Sequence, residues 1–145
     1  MILKISLVIL TLLTSFLGGI SNQFTDWIWY ENLTKATLNP PNYIFGIVWP
    51  VLYLLMAIVS FLNARLIYKL FIIQLLLNAS WSWIFFVLQQ PEIAIVDVLL
   101  LIGINFKILK ILYKKRLFIS AVMYFPYIIW LCFAAYLNIS ISILN

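Results

Sequence analysis

Five long hydrophobic runs constrain the fold of this chain more than any other feature of its sequence. They cover residues 2–21, 44–63, 67–88, 92–112 and 118–143. Each run is near or above the ~20 residues that an α-helix needs to cross the hydrocarbon core of a bilayer. A membrane barrel would instead show alternating segments of about 10 residues. The sequence therefore predicts an all-α membrane protein, a bundle of five transmembrane helices.

The composition points to the same class. Hydrophobic residues make up 66% and charged residues 9% of the 145 residues, whereas about a quarter of the residues in soluble domains are charged. A chain this apolar could not cover a surface that faces water. The five runs leave one sizeable loop, about residues 22–43, so we expect a single integral membrane domain over residues 1–145.

The basic residues lie mostly on one side of the predicted bundle. With five spans, the N-terminus and the loops after spans two and four share a side, which holds eight of the nine basic residues: Lys4, Arg65, Lys69, Lys107, Lys110, Lys114, Lys115 and Arg116. Lys35 is alone on the other side. The positive-inside rule then predicts a multi-pass protein of the cell membrane with a cytoplasmic N-terminus. Topology also explains the cluster at 114–116, with recognition of an anionic lipid as the alternative. No nucleic-acid partner is expected.

The first hydrophobic run has two possible interpretations. Residues 1–20 could be a signal peptide, but their apolar part is longer than usual, and a retained membrane helix is favoured.

The single cysteine, Cys132, and the absence of histidine exclude an intramolecular disulfide, a zinc site and a haem held by histidine. We expect no metal site and no required cofactor.

Polar and aromatic residues inside the apolar spans are the candidates for function, because polar groups within a membrane usually mark functional sites. Helical spacing places them on one face of each span. These faces hold Phe45, Trp49 and Tyr53; Gln74, Asn78, Trp81, Ser82 and Phe85; Asp97 and Asn105; and Pro126, Trp130, Ala134 and Asn138. Packed inward, they predict an aromatic cavity in the outer half of the membrane, suited to a flat, largely apolar ligand with a polar edge.

Ordinary structural roles remain open for the same residues. The tryptophans inside the spans could serve helix packing, and Asn78 and Asn138 could be interhelical hydrogen bonds. An interfacial belt explains Trp27, Trp29 and Tyr43. For Asp97 we favour a structural hydrogen bond, to a helix end or a tryptophan indole, over hydration at the interface or a place in the cavity.

Several blocks of sequence, in order along the chain, carry a family pattern. They are Trp29–Lys35, Pro40-Pro41 with the aromatics through Trp49, Asn78–Trp81 with Phe85-Phe86, Val96-Asp97, and Pro126–Trp130 with Leu137-Asn138. Together they resemble the TspO/translocator protein family, also called tryptophan-rich sensory proteins or peripheral-type benzodiazepine receptors. The blocks cover nearly the whole chain.

The resemblance implies a five-helix bundle whose pocket opens under the first loop and binds porphyrins and synthetic isoquinoline-type ligands. It implies a receptor, sensor or carrier of a tetrapyrrole of the porphyrin or haem type, and a homodimer. By matched position, the ligand-binding residues would be Tyr30, Pro40, Pro41, Phe45, Trp49, Tyr53, Asn78, Trp81, Phe85, Trp130, Ala134 and Asn138.

The resemblance also leaves two alternative functions open. Some members are reported to degrade protoporphyrin IX with light and oxygen, for which Trp49 and Trp130 would be the catalytic candidates. A small-molecule transporter is the other.

The chain departs from the family pattern in several places, two of which affect the expected structure. Residues 36–38 are Ala-Thr-Leu where the family usually has Pro-Ser-aromatic, so we expect a looser loop over the pocket. Ser82 and Trp83 stand where many members have a proline, which predicts a straighter third span.

Overall fold

The protein consists of helices joined by short connections, and it has no strand. The computed structural model describes all of residues 1–145, with α1 at Ile2–Phe24, α2 at Trp27–Asn32, α3 at Asn42–Ser82, a π-helical turn at Trp83–Val87, α4 at Pro91–Lys114 and α5 at Phe118–Leu144. The predicted all-α class is confirmed.

The long helix α3 is two helices of membrane length joined at a bend. Asn63 has φ −118° and ψ 20°, which is not helical. Tyr53 bonds to Asn78, 25 positions away, although a straight helix would separate these residues by ~37 Å. The chain therefore reverses near Asn63, and the first half of α3 (residues 42–62) runs antiparallel to the second (residues 64–82). Asn63 Nδ2 donates to Ser120 Oγ of α5 at 2.9 Å, which holds the bend against the bundle.

Helices of membrane length account for all five predicted spans. By length and composition, three segments could cross a membrane, namely Ile2–Phe24, Asn42–Val87 and Phe118–Leu144. The second has 46 residues and folds back on itself, so it supplies two of the predicted spans. The remaining span, α4, has 24 residues, but Asp97, Lys107 and Lys110 make it less apolar than the others.

The hydrophobic core lies where α3, α4 and α5 meet. Tyr124, Tyr127 and Phe71 are among its largest fully buried side chains. Helix α1 packs along α3 and buries Leu7 and Thr11 completely. Many aliphatic side chains point outward all around the bundle, as expected for helices whose surroundings are lipid tails.

The end of α3 is locally distorted, and a third span straighter than that of family members with a proline here stays a prediction. Residues Trp83–Val87 form a π-helical turn, in which the Leu88 backbone N–H donates to the Trp83 carbonyl, five residues back, at 2.9 Å. A helix without proline can still be distorted by an extra residue in one turn. The distortion turns two consecutive rings toward the interior, so that Phe85 is buried and Phe86 lines a cavity.

Candidate ligand-binding cavity

A sizeable cavity lies at the end of the bundle that carries residues 22–43. Its volume is about 430 Å³, within the ~300–1,000 Å³ typical of small-molecule sites. Its walls come from the second half of α1, from α2, from both ends of α3 and from α5. None of the lining residues is charged. The cavity is therefore neutral, bounded mainly by aromatic rings with a few hydroxyl and amide groups.

The structure brings most of the predicted ligand-binding residues together. Eight of them line the cavity: Tyr30, Phe45, Trp49, Tyr53, Asn78, Trp81, Trp130 and Ala134. Phe85 and Asn138 instead line a smaller space of about 30 Å³. It shares with the larger one the residues Tyr30, Phe45, Trp81, Phe86 and Ala134. Pro40 and Pro41 line neither space. Pro41 precedes the first residue of α3, so its place is at the helix start.

Some residues on the faces predicted to point into the cavity do not line it. Gln74, Asp97 and Asn105 are buried but lie outside the cavity wall, and Pro126 is exposed. Asp97 Oδ1 accepts a hydrogen bond from Ser80 Oγ at 3.0 Å. A structural hydrogen bond is thus present as favoured for Asp97, but its donor is a serine instead of a helix end or a tryptophan indole.

Helix α1 supplies a wall that the sequence reasoning missed. This wall holds Ser15, Gly18, Gly19, Ser21 and Asn22. Small and polar residues at i, i+3, i+4 and i+7 of an apolar helix are the signal that could have revealed it. Trp27, which the sequence analysis assigned to an interfacial belt, also lines the cavity. Its indole N–H donates to the Asn22 carbonyl at 3.2 Å.

Aromatic pairs build two sides of the cavity. The ring centroids of Trp49 and Trp130 are 6.5 Å apart with the rings perpendicular, and those of Phe45 and Trp130 are 5.8 Å apart. On the other side, Trp81 stacks on Phe85 at 5.5 Å. Edge-to-face and offset pairs of this kind hold aromatic rings in fixed orientations. The walls therefore present flat, rigid apolar surfaces.

A chain of hydrogen bonds runs beneath the inner end of the cavity. Tyr53 donates to Asn78 Oδ1, Asn78 Nδ2 donates to the Tyr127 hydroxyl at 2.7 Å, and Tyr127 donates to Gln74 Oε1 at 2.9 Å. All four side chains are buried. Because polar groups must be paired in an apolar interior, this chain fixes the positions of Tyr53 and Asn78 in the cavity wall.

Two tryptophan indoles in the wall differ in their hydrogen bonding. Trp81 Nε1 donates to Asn138 Oδ1 at 3.1 Å, and Asn138 Nδ2 donates to the Pro91 carbonyl at 2.8 Å. Asn138 therefore joins α3, α4 and α5, which is the interhelical role left open for it. Trp130 Nε1 is buried without a partner.

A lysine lies beside one of the cavity's tyrosines on the loop side. Lys35 Nζ lies 4.5 Å from the centre of the Tyr30 ring and bonds to the carbonyl oxygens of Glu31 and Leu33. Burial raises the pKa of the Tyr30 hydroxyl. The loop is also tied to α5, because the Asn145 side chain exchanges two hydrogen bonds with the backbone of Thr34, at 2.8 and 3.0 Å.

Comparison with known proteins identifies the family. The TspO/MBR family profile matches residues 7–144. The chain belongs to the TspO/MBR family. It is 35% identical to the tryptophan-rich protein TspO of Archaeoglobus fulgidus, over 99% of this chain and 98% of the relative.

Two other TspO/MBR relatives are similar over most of their length. Protein CrtK of Rhodobacter capsulatus is 33% identical, over 88% of this chain and 85% of its own. The human translocator protein is 33% identical, over 76% of this chain and 70% of its own. Together with the apolar helices, these matches make the protein an integral membrane protein of the TspO type, whose members carry sensory or translocator names.

Proposed function

We propose that the neutral aromatic cavity is the ligand site of this TspO/MBR protein and that it binds a tetrapyrrole, which the protein senses or carries. The observation that carries the proposal is the set of tryptophans 49, 81 and 130 around one space of about 430 Å³. Large rigid rings suit a flat macrocycle, because they offer much apolar contact at little cost in conformational entropy. The chain has no histidine, so a metal-containing tetrapyrrole would have no histidine ligand here.

Binding of protoporphyrin IX tests this proposal directly. The measurement is quenching of tryptophan fluorescence in detergent, with and without illumination. Gly46 lines the cavity and has no atom within 4 Å of the position of an added Cβ. Gly46→Phe should therefore fold, fill part of the site and weaken binding at least tenfold.

A matched variant controls for the effect of a new phenylalanine. Gly103 lies in α4, away from the cavity, and its added Cβ also meets open space. Gly103→Phe should bind protoporphyrin IX like the wild type. Equal loss of binding in both variants, or binding unaffected by Gly46→Phe, contradicts the assignment of the site.

A second candidate function is light- and oxygen-dependent degradation of the porphyrin. The perpendicular pair Trp49 and Trp130, with centroids 6.5 Å apart, favours it, because both indoles line the cavity and can donate an electron to an excited macrocycle. Proton-coupled transport has less support, since no Asp, Glu or Lys lines the cavity to relay a proton. We also propose a homodimer in the cell membrane with a cytoplasmic N-terminus.

A further inference from the structure

The hydroxyl protons at the inner end of the cavity are already used within the protein. Tyr53 donates its proton to Asn78 Oδ1, and Ser82 Oγ donates to the Ala79 carbonyl at 3.2 Å. A hydroxyl group has one proton and two lone pairs. While these bonds are kept, each of the two oxygens can only accept a further hydrogen bond.

The direction of the buried chain of hydrogen bonds keeps Tyr53 in this state. Gln74 Nε2 lies 3.9 Å from Met56 Sδ, a weak acceptor, so Gln74 turns its carbonyl oxygen toward Tyr127. The Tyr127 oxygen then accepts from Asn78 Nδ2, and Asn78 Oδ1 is left to face Tyr53. Reversing one member would place two donors or two acceptors against each other among buried side chains.

Both oxygens lie within reach of the cavity at the same place. A Cβ added to Gly18 of α1 would lie 3.8 Å from the Tyr53 hydroxyl oxygen and 3.8 Å from Ser82 Oγ. Gly18, Tyr53 and Ser82 all line the cavity. We refer to the two oxygens as the acceptor pair. Because residue 18 is glycine, no side chain at that position covers the pair.

The surroundings of the acceptor pair make a carboxylate unfavourable there. No Lys or Arg lines the cavity, and a carboxylate without a positive partner loses its hydration without compensation. It would also face lone pairs rather than protons. A ligand N–H, in contrast, loses water but regains a hydrogen bond.

We propose that the acceptor pair is a specificity site, at which Tyr53 and Ser82 recognise an N–H donor on the edge of a flat aromatic ligand. Any carboxylates of the ligand then remain at the loop side of the cavity. This inference rests on the proposed function of the cavity as a site for flat ligands. It is separable from porphyrin binding, because a closed porphyrin turns its N–H groups toward the ring centre and gains nothing from the pair.

Carbazole and dibenzofuran are the probes for this proposal. They are flat tricyclic molecules of nearly equal shape, but carbazole has an N–H donor on its edge where dibenzofuran has an ether oxygen. Isothermal titration calorimetry in detergent should give carbazole an affinity about three- to tenfold higher, the effect of one net hydrogen bond. Partition into micelles is the same for every variant, so it cancels when this preference is compared between variants.

Two variants should weaken or abolish the preference by different routes. Tyr53→Phe removes one acceptor. Gly18→Ala leaves the hydrogen-bond chain intact and places a methyl group over both oxygens at ordinary contact distance. Tyr124→Phe and Gly103→Ala are the matched controls, because both residues lie outside the cavity wall, and both should retain the wild-type preference.

Several results would overturn the proposal. Equal affinities of the wild type for the two probes, or tighter binding of dibenzofuran, would show that the pair does not select a donor. A preference that survives both Tyr53→Phe and Gly18→Ala would place the recognition elsewhere. If neither probe binds, the pair does not recognise flat donors. Porphyrin binding is measured with the same protein samples. If porphyrin still binds, only the proposal about the acceptor pair fails, and the cavity remains the proposed ligand site.

Discussion

Removing the hydroxyl of Tyr127 should destabilise the protein more than removing that of Tyr124, although both side chains are completely buried on the same helix. Tyr127 accepts from Asn78 and donates to Gln74. In Tyr127→Phe, both of these amides therefore lose a partner.

The matched variant Tyr124→Phe leaves only one group without a partner. The Tyr124 hydroxyl donates to Asn105 Oδ1, while Asn105 Nδ2 keeps its bond to the Leu101 carbonyl at 2.8 Å. A polar group left unpaired in a protein interior costs about 1–3 kcal/mol, and measured interhelical bonds in membranes average about 0.6 kcal/mol. We therefore expect a loss of about 1–4 kcal/mol for Tyr127→Phe and about half of that for Tyr124→Phe.

Equilibrium unfolding in mixed micelles, with increasing sodium dodecyl sulfate, measures both losses on the same scale. Far-UV circular dichroism checks that both variants begin with wild-type helix content. The ratio of the two losses is the critical quantity, because it depends on the number of orphaned groups and not on the strength assumed for each bond. A loss for Tyr127→Phe equal to or smaller than that for Tyr124→Phe would refute the hydrogen-bond chain as described.

The remaining predictions concern light, topology and the loop. If the protein is a photo-oxidase, Trp49→Phe should keep most protoporphyrin IX binding and lose light-driven bleaching; bleaching at the wild-type rate, or never above that of free porphyrin, excludes this function. In a Cys132→Ala background, an impermeant thiol reagent added to intact cells should label Lys35→Cys and not Lys115→Cys, and the opposite pattern would reverse the orientation. Restoring the family pattern with Ala36→Pro and Leu38→Trp should slow porphyrin release by an amount on the order of 1 kcal/mol in the dissociation barrier, from a stiffer loop and an added ring. An unchanged off-rate in stopped-flow measurements would mean that this loop does not cover the ligand.

Local sequence patterns determined the class of the protein and much of its candidate site. The length of the apolar runs decided that the chain is a helical membrane protein, because only a helix satisfies its backbone hydrogen bonds within each such segment. The spacing of Phe45, Trp49 and Tyr53 placed them on one helical face, and the cavity wall contains all three. These conclusions depend only on relations within a single helix, which the order of the residues specifies directly.

Relations between helices were decided by the tertiary structure. Gly18 forms part of the wall, and Asp97 stays outside it, because of how α1 and α4 pack against α3. Nothing in the local sequence of α1 reveals that Gly18 lies opposite Tyr53 and Ser82. The direction of the hydrogen bonds from Tyr53 to Gln74 likewise requires three helical segments in place at once. Helical periodicity specifies which face of a helix is apolar or polar, but the partner of that face depends on packing between distant parts of the chain.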